Sequence, residues 1–387
     1  MQETSPASDP SKRRPRDKAE AEIILICNPR AGGRWRELAA ILDSEEAQHV
    51  RRIVTDSVED IAPAVESLGR ESKLLCIYGG DGTIQRVLDR LPANTKDDVH
   101  LALIGGGTMN VTARWCGFHR SPADNFRTVV HAYRQGNLLI KEVPLLQVTR
   151  GESVHRGFTF GMGPIVRILD AWEHGKKGKL PAISMGLQSV AAAWLKWPPR
   201  YRDLLLESEA EIWLDGERLP YDRYAAVFAN VTGQINPGIL PFPEPRTRDS
   251  FYTVAYAVTA RELALAAPMV ARGWLPVDVS KLMKPAGLMR RLTGIGDKDD
   301  DGEKTDRRGP AVKSGPIPTD PRYVNRTASL LEVKTREPLY TVDGEIIAGD
   351  DESVRVELGP ELKLAVTPTA HLSAGLRLAA DAIGGAA

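Results

Sequence analysis

The chain has 387 residues, 42% of them hydrophobic and 26% charged, the composition of a globular protein long enough for two domains. Lys and Arg together number 51 and so do Asp and Glu, so no net field draws the chain to nucleic acid, and attraction to any charged surface must be local. The three cysteines, Cys27, Cys76 and Cys116, cannot all pair with one another and lack metal-ligand spacing, which points to a reducing, cytoplasmic setting.

Residues 1–20 are polar, charged and Pro-containing, and read as a disordered tail without the apolar core of a signal peptide. Ile23 to Cys27 is a continuous apolar run ending in Asn28-Pro29, the pattern of a buried parallel strand entering a turn. A helix is expected around Trp35 to Leu42, a strand over Val50 to Thr55 and a helix over Val58 to Leu68. A third strand, Leu74 to Tyr78, leads to a helix from Thr83 to about Leu91, and Leu101 to Ile104 is a fourth strand. Strands alternating with helices in this way predict a parallel α/β domain over residues 21–142.

After about Lys141 the pattern changes to short alternating segments, such as Glu211 to Leu214 and Tyr224 to Phe228, separated by turn signals at Asp215-Gly216 and Asn236-Pro237-Gly238. This predicts a larger, mostly antiparallel, sandwich-like β domain over residues 143–370, with an active site in the cleft between the two domains. A charged, Gly- and Pro-flanked stretch at about 290–322 reads as a disordered insertion, and 371–387 as a C-terminal segment. No internal repeat stands out. No apolar run approaches the roughly 20 residues of a membrane span, so contact with a bilayer is expected from the side. One candidate for such contact is the apolar, aromatic segment Val190 to Pro198, although a core helix ending at Pro198-Pro199 has the same pattern.

Gly79-Gly80-Asp81-Gly82-Thr83 follows a buried strand and opens a helix. Glycines there allow close approach of backbone to a phosphate, and a helix N-terminus offers unpaired N–H groups to an anion. A carboxylate in such a turn repels phosphate unless it holds a cation or a proton, which makes Asp81 a candidate Mg2+ or nucleophile-orienting residue; a tight turn with Asp81 as N-cap has the same residues. Gly105-Gly106-Gly107-Thr108-Met109-Asn110 follows the next strand in the same manner. In a parallel sheet both turns, and Asn28 to Gly33, lie on the edge where ligands bind. Arg30, Arg34, Arg86 and Arg114 stand near enough in sequence to neutralise phosphate, or to sit on solvated helix faces.

The set NPRAGG, GGDGTI and GGGTMN, in this order and spacing, resembles the catalytic domain of diacylglycerol and sphingosine kinases, over about residues 22–142. The resemblance implies a fold shared with NAD kinases, with ATP and Mg2+ as cofactors and a membrane lipid as substrate, reached by peripheral contact. It implies that Asn28 and Gly32 shape the nucleotide pocket, with Thr55 nearby. Gly79, Gly80, Asp81, Gly82 and Thr83 would hold the phosphates, and Gly107, Thr108 and Asn110 would lie beside them. A second signature of the family matches Asp343-Gly344-Glu345, where Glu345 would be the general base and Asp343 its catalytic neighbour. Asp-Gly between alternating residues is also the commonest hairpin turn, and Leu214-Asp215-Gly216-Glu217 repeats the triplet as a plain hairpin.

Three departures from the family pattern stand out: Val111 after Asn110, Gln85-Arg86 after Ile84, and Asp249-Ser250-Phe251, where only Asp249 matches a metal-associated segment. A non-catalytic lipid- or nucleotide-binding relative and a soluble NAD kinase-like enzyme are the alternatives. A homodimer is compatible with the sequence, which is otherwise silent on assembly.

Overall fold

The computed structural model describes residues 22–31, 34–44, 47–57, 59–66, 73–91, 99–107, 110–174, 204, 206–235, 240–242, 245–278, 319–368 and 370. The tail at 1–20, the segment Val190 to Pro198, residues 290–318 of the charged stretch and residues 371–387 lie outside these. The chain divides into two compact units, Met1–Lys141 with Lys363–Ala387, and Glu142–Leu362.

The first unit is built on a parallel sheet. Strands β1 (Ile23–Cys27), β3 (Leu74–Gly79) and β4 (His100–Gly105) are apolar along their length, because helices cover both faces. Strand β2 (Val50–Val54) carries exposed Arg51 and Arg52, as suits its place at the sheet edge. The order is β4-β3-β1-β2, all parallel. Since β2 and β3 lie on opposite sides of β1, the chain reverses direction across the sheet, and the loops after β1 and β3 part at their C-terminal ends.

Helices α1 (Trp35–Leu42) and α5 (Pro122–Arg134) pack together, and α2 (Ile61–Glu66) packs on α3 (Asp81–Arg90). Helix α3 presents Ile84, Val87 and Leu88 to the core at helical spacing. It begins at Asp81, two residues before the sequence expectation, because Gly80 takes the extended N-cap conformation (φ −77°, ψ 175°). Asp81 is therefore the first helical residue and not the cap. The short helix α4 (Val111–Trp115) completes this part of the unit.

The second unit contains two antiparallel assemblies. One joins β5 (Leu139–Arg150), β6 (Ser153–Gly157), β8 (Ser208–Leu214), β9 (Glu217–Arg218), β10 (Arg223–Tyr224), β14 (Leu330–Thr335) and the first part of β17 (Ser353–Val366). The other is a six-stranded sheet in the order β13 (Tyr323–Ala328), β12 (Phe251–Tyr256), β11 (Ala226–Asn230), β7 (Thr159–Met162), β15 (Leu339–Val342), β16 (Glu345–Ala348). Tyr340 of β15 joins the two: its ring lies 6.3 Å from that of His155 and 6.2 Å from that of Phe160, with the Arg150 guanidinium 5.6 Å away. Helix α6 (Pro164–His174) packs on β7 and β15, while α7 (Ala260–Val270) opens with a capping box between Thr259 and Glu262.

Three expectations need correction. Tyr224 to Phe228 is not one strand: Tyr224 pairs with Ser208, and from Ala226 onward the chain pairs with β12, so the backbone changes sheet at Ala225. The second unit ends at Leu362 and not at 370, because Lys363 and Leu364 pair parallel with His100 and Leu101 of the first unit's sheet. Residues 319–322 of the supposed insertion are ordered: Thr319 bridges Val277, and Asp320 accepts hydrogen bonds from Arg322.

All three cysteines are buried, and burial pushes each thiol up to about 12. We expect no reaction of the native protein with a chromogenic disulfide at pH 8, and three equivalents after unfolding. Rapid labelling of any one thiol in the native state would contradict this packing.

Candidate functional site

The loops after β1, β3 and β4 form one hydrogen-bonded cluster at the C-terminal edge of the parallel sheet. The Asn28 amide nitrogen donates to the Thr83 hydroxyl at 3.1 Å, and Asn28 Oδ1 accepts from the Arg30 N–H at 3.0 Å. The Tyr78 hydroxyl reaches back to the Ala31 carbonyl at 3.0 Å, and its ring lies 5.6 Å from that of Trp35. Tyr78 thus fastens the Asn-Pro loop to β3, a role its place in an apolar run gave no sign of. Thr55 is buried, and its hydroxyl donates to the Cys27 carbonyl at 3.2 Å, so it braces β1 beside Asn28.

The glycines set how closely these turns approach. A Cβ on Gly79 would lie 2.4 Å from that of Thr83, and one on Gly107 would lie 2.8 Å from the Gly80 Cα. The two glycine turns therefore touch backbone to backbone. The amides of the second turn are satisfied: the Gly106 N–H donates to the Gly79 carbonyl of the first turn at 2.7 Å, and the Gly107 N–H donates to Asn110 Oδ1 at 2.8 Å. Asn110 Nδ2 returns a bond to the Gly107 carbonyl at 2.7 Å, and Asn110 itself has positive φ (49°). Gly107 and Asn110 accordingly brace the first turn. Thr108, like Gly32, lies outside the described residues.

The first turn is different. The N-cap of helix α3, Gly80, has no side chain to cap the helix, which leaves the Gly82 and Thr83 N–H groups to face an anion. The Asp81 carboxyl takes its own N–H, the first of the helix, and turns toward α4, where the amides of Val111, Asn110 and Thr112 also favour its charge. Burial is the larger effect and raises its pKa above the ordinary carboxylate value. Its Oδ1 is buried without a hydrogen-bond partner among the described residues. An orphaned carboxylate oxygen beside an uncapped helix start fits a divalent cation bridging to phosphate. Of the arginines read as phosphate neutralisers, Arg34 is paired with Glu37 at 3.0 Å.

In the second unit, Asp343 and Gly344 form a two-residue hairpin turn between β15 and β16, both with positive φ (51° and 89°). The Asp343 carboxylate accepts the backbone N–H groups of Phe158 (2.9 Å) and Thr159 (2.8 Å). Glu345 is the first residue of β16, half-buried, with its backbone carbonyl taking the Thr341 hydroxyl at 3.0 Å. Asp249 is exposed in the turn before β12, and its neighbour Ser250 is buried against Thr247. Among the described residues, no group of three His, Cys, Asp or Glu side chains could hold a metal, around Asp249 or elsewhere.

The raised pKa of Asp81 has a definite consequence for stability. A carboxyl whose pKa rises on folding stabilises the fold below its unfolded pKa, and that contribution is lost as pH climbs through the folded value. Above that range, burial of this carboxyl weakens the unliganded protein. Asp81→Asn is therefore expected to raise Tm at pH 7, with the gain shrinking as pH falls to about 4. A lower Tm at pH 7 would mean that the α4 amides outweigh burial.

Comparison with known proteins agrees with this arrangement. A diacylglycerol kinase from Bacillus anthracis str. Sterne has a similar structure, with TM-score 0.55 and 15% identity over 90% of this chain and 98% of that one. Two further structures from that organism give TM-scores of 0.57 and 0.56 at 17% and 16% identity, with the same coverage. At such identities the likeness establishes the fold alone. No curated protein sequence matches the chain. Residues 22–138, which carry both glycine turns, Asn28, Thr55 and Asp81, match the diacylglycerol kinase catalytic domain. The likeness to that domain is thus carried by the part of the chain that holds both glycine turns.

Proposed function

We propose that the protein is an ATP-dependent lipid kinase that transfers the γ-phosphoryl group to a lipid hydroxyl of diacylglycerol or sphingoid type. The observation that carries this reading is the uncapped start of α3 beside the orphaned Asp81 oxygen, within a diacylglycerol kinase catalytic domain. The Gly82 and Thr83 amides bind the ATP phosphates, and Asn28 and Thr55 hold the loops that flank them. Asp81 would hold Mg2+, which when bound neutralises phosphate charge. Glu345 accepts the proton of the lipid hydroxyl as that oxygen bonds to the γ-phosphorus and the bond to the ADP oxygen breaks.

Among the described residues, no helix is long and apolar enough to cross a membrane. Peripheral contact is supported by α7 and the residues after it, where Leu265 (65% exposed), Met269 (39%) and Trp274 (63%) face outward near Arg272. An outward apolar face with a tryptophan and a basic flank suits an anionic lipid surface.

The deciding experiment is transfer of labelled γ-phosphate from ATP with Mg2+ into a panel of lipid micelles, with NAD as a soluble control. We expect label in one lipid class, abolished by Glu345→Ala while nucleotide binding persists. Label in NAD alone would make the protein a soluble nucleotide kinase. ATP binding without any transfer would favour a non-catalytic relative. In a separate assay, Leu265→Ser with Trp274→Ser should reduce sedimentation with phosphatidylglycerol vesicles and leave phosphorylation of a short-chain, water-soluble lipid unchanged. Undiminished sedimentation would remove α7 from the membrane contact.

A further inference from the structure

The second unit uses one device twice, although the sequence shows no repeat beyond the triplet Asp-Gly-Glu. Strand β6 belongs to one sheet and β7 to the other, and the chain crosses between them at Phe158. Strands β13 and β14 are likewise in different sheets, with the crossing at Ser329. A strand that leaves its sheet leaves ladder N–H groups without partners at the corner. At each corner an aspartate in the first position of a hairpin turn supplies the acceptor.

The correspondence extends to individual bonds. Asp343 accepts the N–H groups of Phe158 and Thr159, and its own N–H donates to the Thr159 carbonyl at 2.9 Å. Asp215 accepts the N–H groups of Ser329 (2.8 Å) and Leu330 (2.9 Å), and its own N–H donates to the Leu330 carbonyl at 2.9 Å. The residue before each aspartate pairs with the residue just past the crossing, Val342 with Phe160 and Leu214 with Leu331. Both turns have positive φ at Asp and Gly. Close approach at the first corner needs Gly157, where a Cβ would lie 2.6 Å from an Asp343 oxygen.

We infer that Asp343 is a positioning residue and not a catalytic one. Its carboxylate caps the sheet-crossing amides and thereby fixes the turn from which Glu345 emerges, as Asp215 does for a hairpin with no part in the reaction. The inference rests on the kinase reading for the role of Glu345, while the capping itself does not depend on it.

Asparagine separates the two roles. It tolerates positive φ and keeps an Oδ1 acceptor for both amides, but it cannot hold a proton or a cation as a carboxylate does. We expect Asp343→Asn to retain most of the wild-type kcat. Asp343→Ala, which frees the turn, should lose on the order of 10²-fold in kcat with the KM for ATP unchanged. Both Asp343→Ala and Asp215→Ala should lower Tm, but Asp215→Ala should leave kcat alone. Hydrogen–deuterium exchange in peptides covering β6 and β7 should accelerate in Asp343→Ala and not in Asp343→Asn. An Asp343→Asn protein with wild-type Tm and exchange but the turnover of Asp343→Ala would overturn the inference, as would unchanged exchange in Asp343→Ala. If the wild type phosphorylates no lipid, the kinase reading fails instead, and the exchange measurement still decides the cap.

Discussion

Backbone N–H groups that lose their partners where strands and helices end must find acceptors, and in this protein three short side chains with left-handed backbone provide them. Asn110, Asp215 and Asp343 are the non-glycine residues with positive φ among those described. Each accepts a backbone N–H: Asn110 from Gly107, Asp215 from Ser329 and Leu330, Asp343 from Phe158 and Thr159. Only a short polar side chain tolerates that conformation and reaches such a donor. Hydrogen bonds to a charged acceptor contribute about 1.5–3 kcal/mol, and leaving the donors buried and unpaired costs about as much. These residues therefore keep strained turns in place at the points where the fold changes direction.

The same accounting explains the first glycine turn in reverse. The start of α3 is left uncapped, and Asp81, which could have interfered, is drawn toward the amides of α4. The second glycine turn commits its Gly107 amide to Asn110 and its Gly106 amide to the Gly79 carbonyl, so it works as the floor on which the first turn rests. Two glycine-rich turns of similar sequence thus divide the labour, one satisfied and rigid, the other open to an anion. The difference arises at the helix that each turn enters: α3 has a glycine N-cap, whereas the turn before α4 ends in an asparagine that folds back on it.

Burial sets the chemical character of the groups. Burial raises the pKa of Asp81 and leaves its Oδ1 without a partner among the described residues, a cost in the unliganded fold that suits a functional position better than a structural one. The cysteines show the opposite use of burial. Cys27, Cys76 and Cys116 pack as small apolar side chains, and their thiols are held out of the reactive range.

Much of the first unit was legible in the sequence because its signals are local. Continuous apolar runs made β1, β3 and β4 recognisable, and the helix expected around Trp35 to Leu42 is present. The glycine turns were legible for the same reason, since one turn cannot approach another so closely with a Cβ in the way. Hairpin turns at Asp215-Gly216 and Asp343-Gly344 were equally legible, because positive φ is a demand on two adjacent residues. What the sequence could not express was which strand answers which. The change of sheet at Ala225, the return of Lys363 and Leu364 beside β4, and the capping of Phe158 by an aspartate 185 residues away each join segments distant in the chain. Local pattern determined the elements and their turns; only tertiary structure decided the acceptors for the stranded amides, because a hydrogen bond is set by position in space and not by separation along the chain.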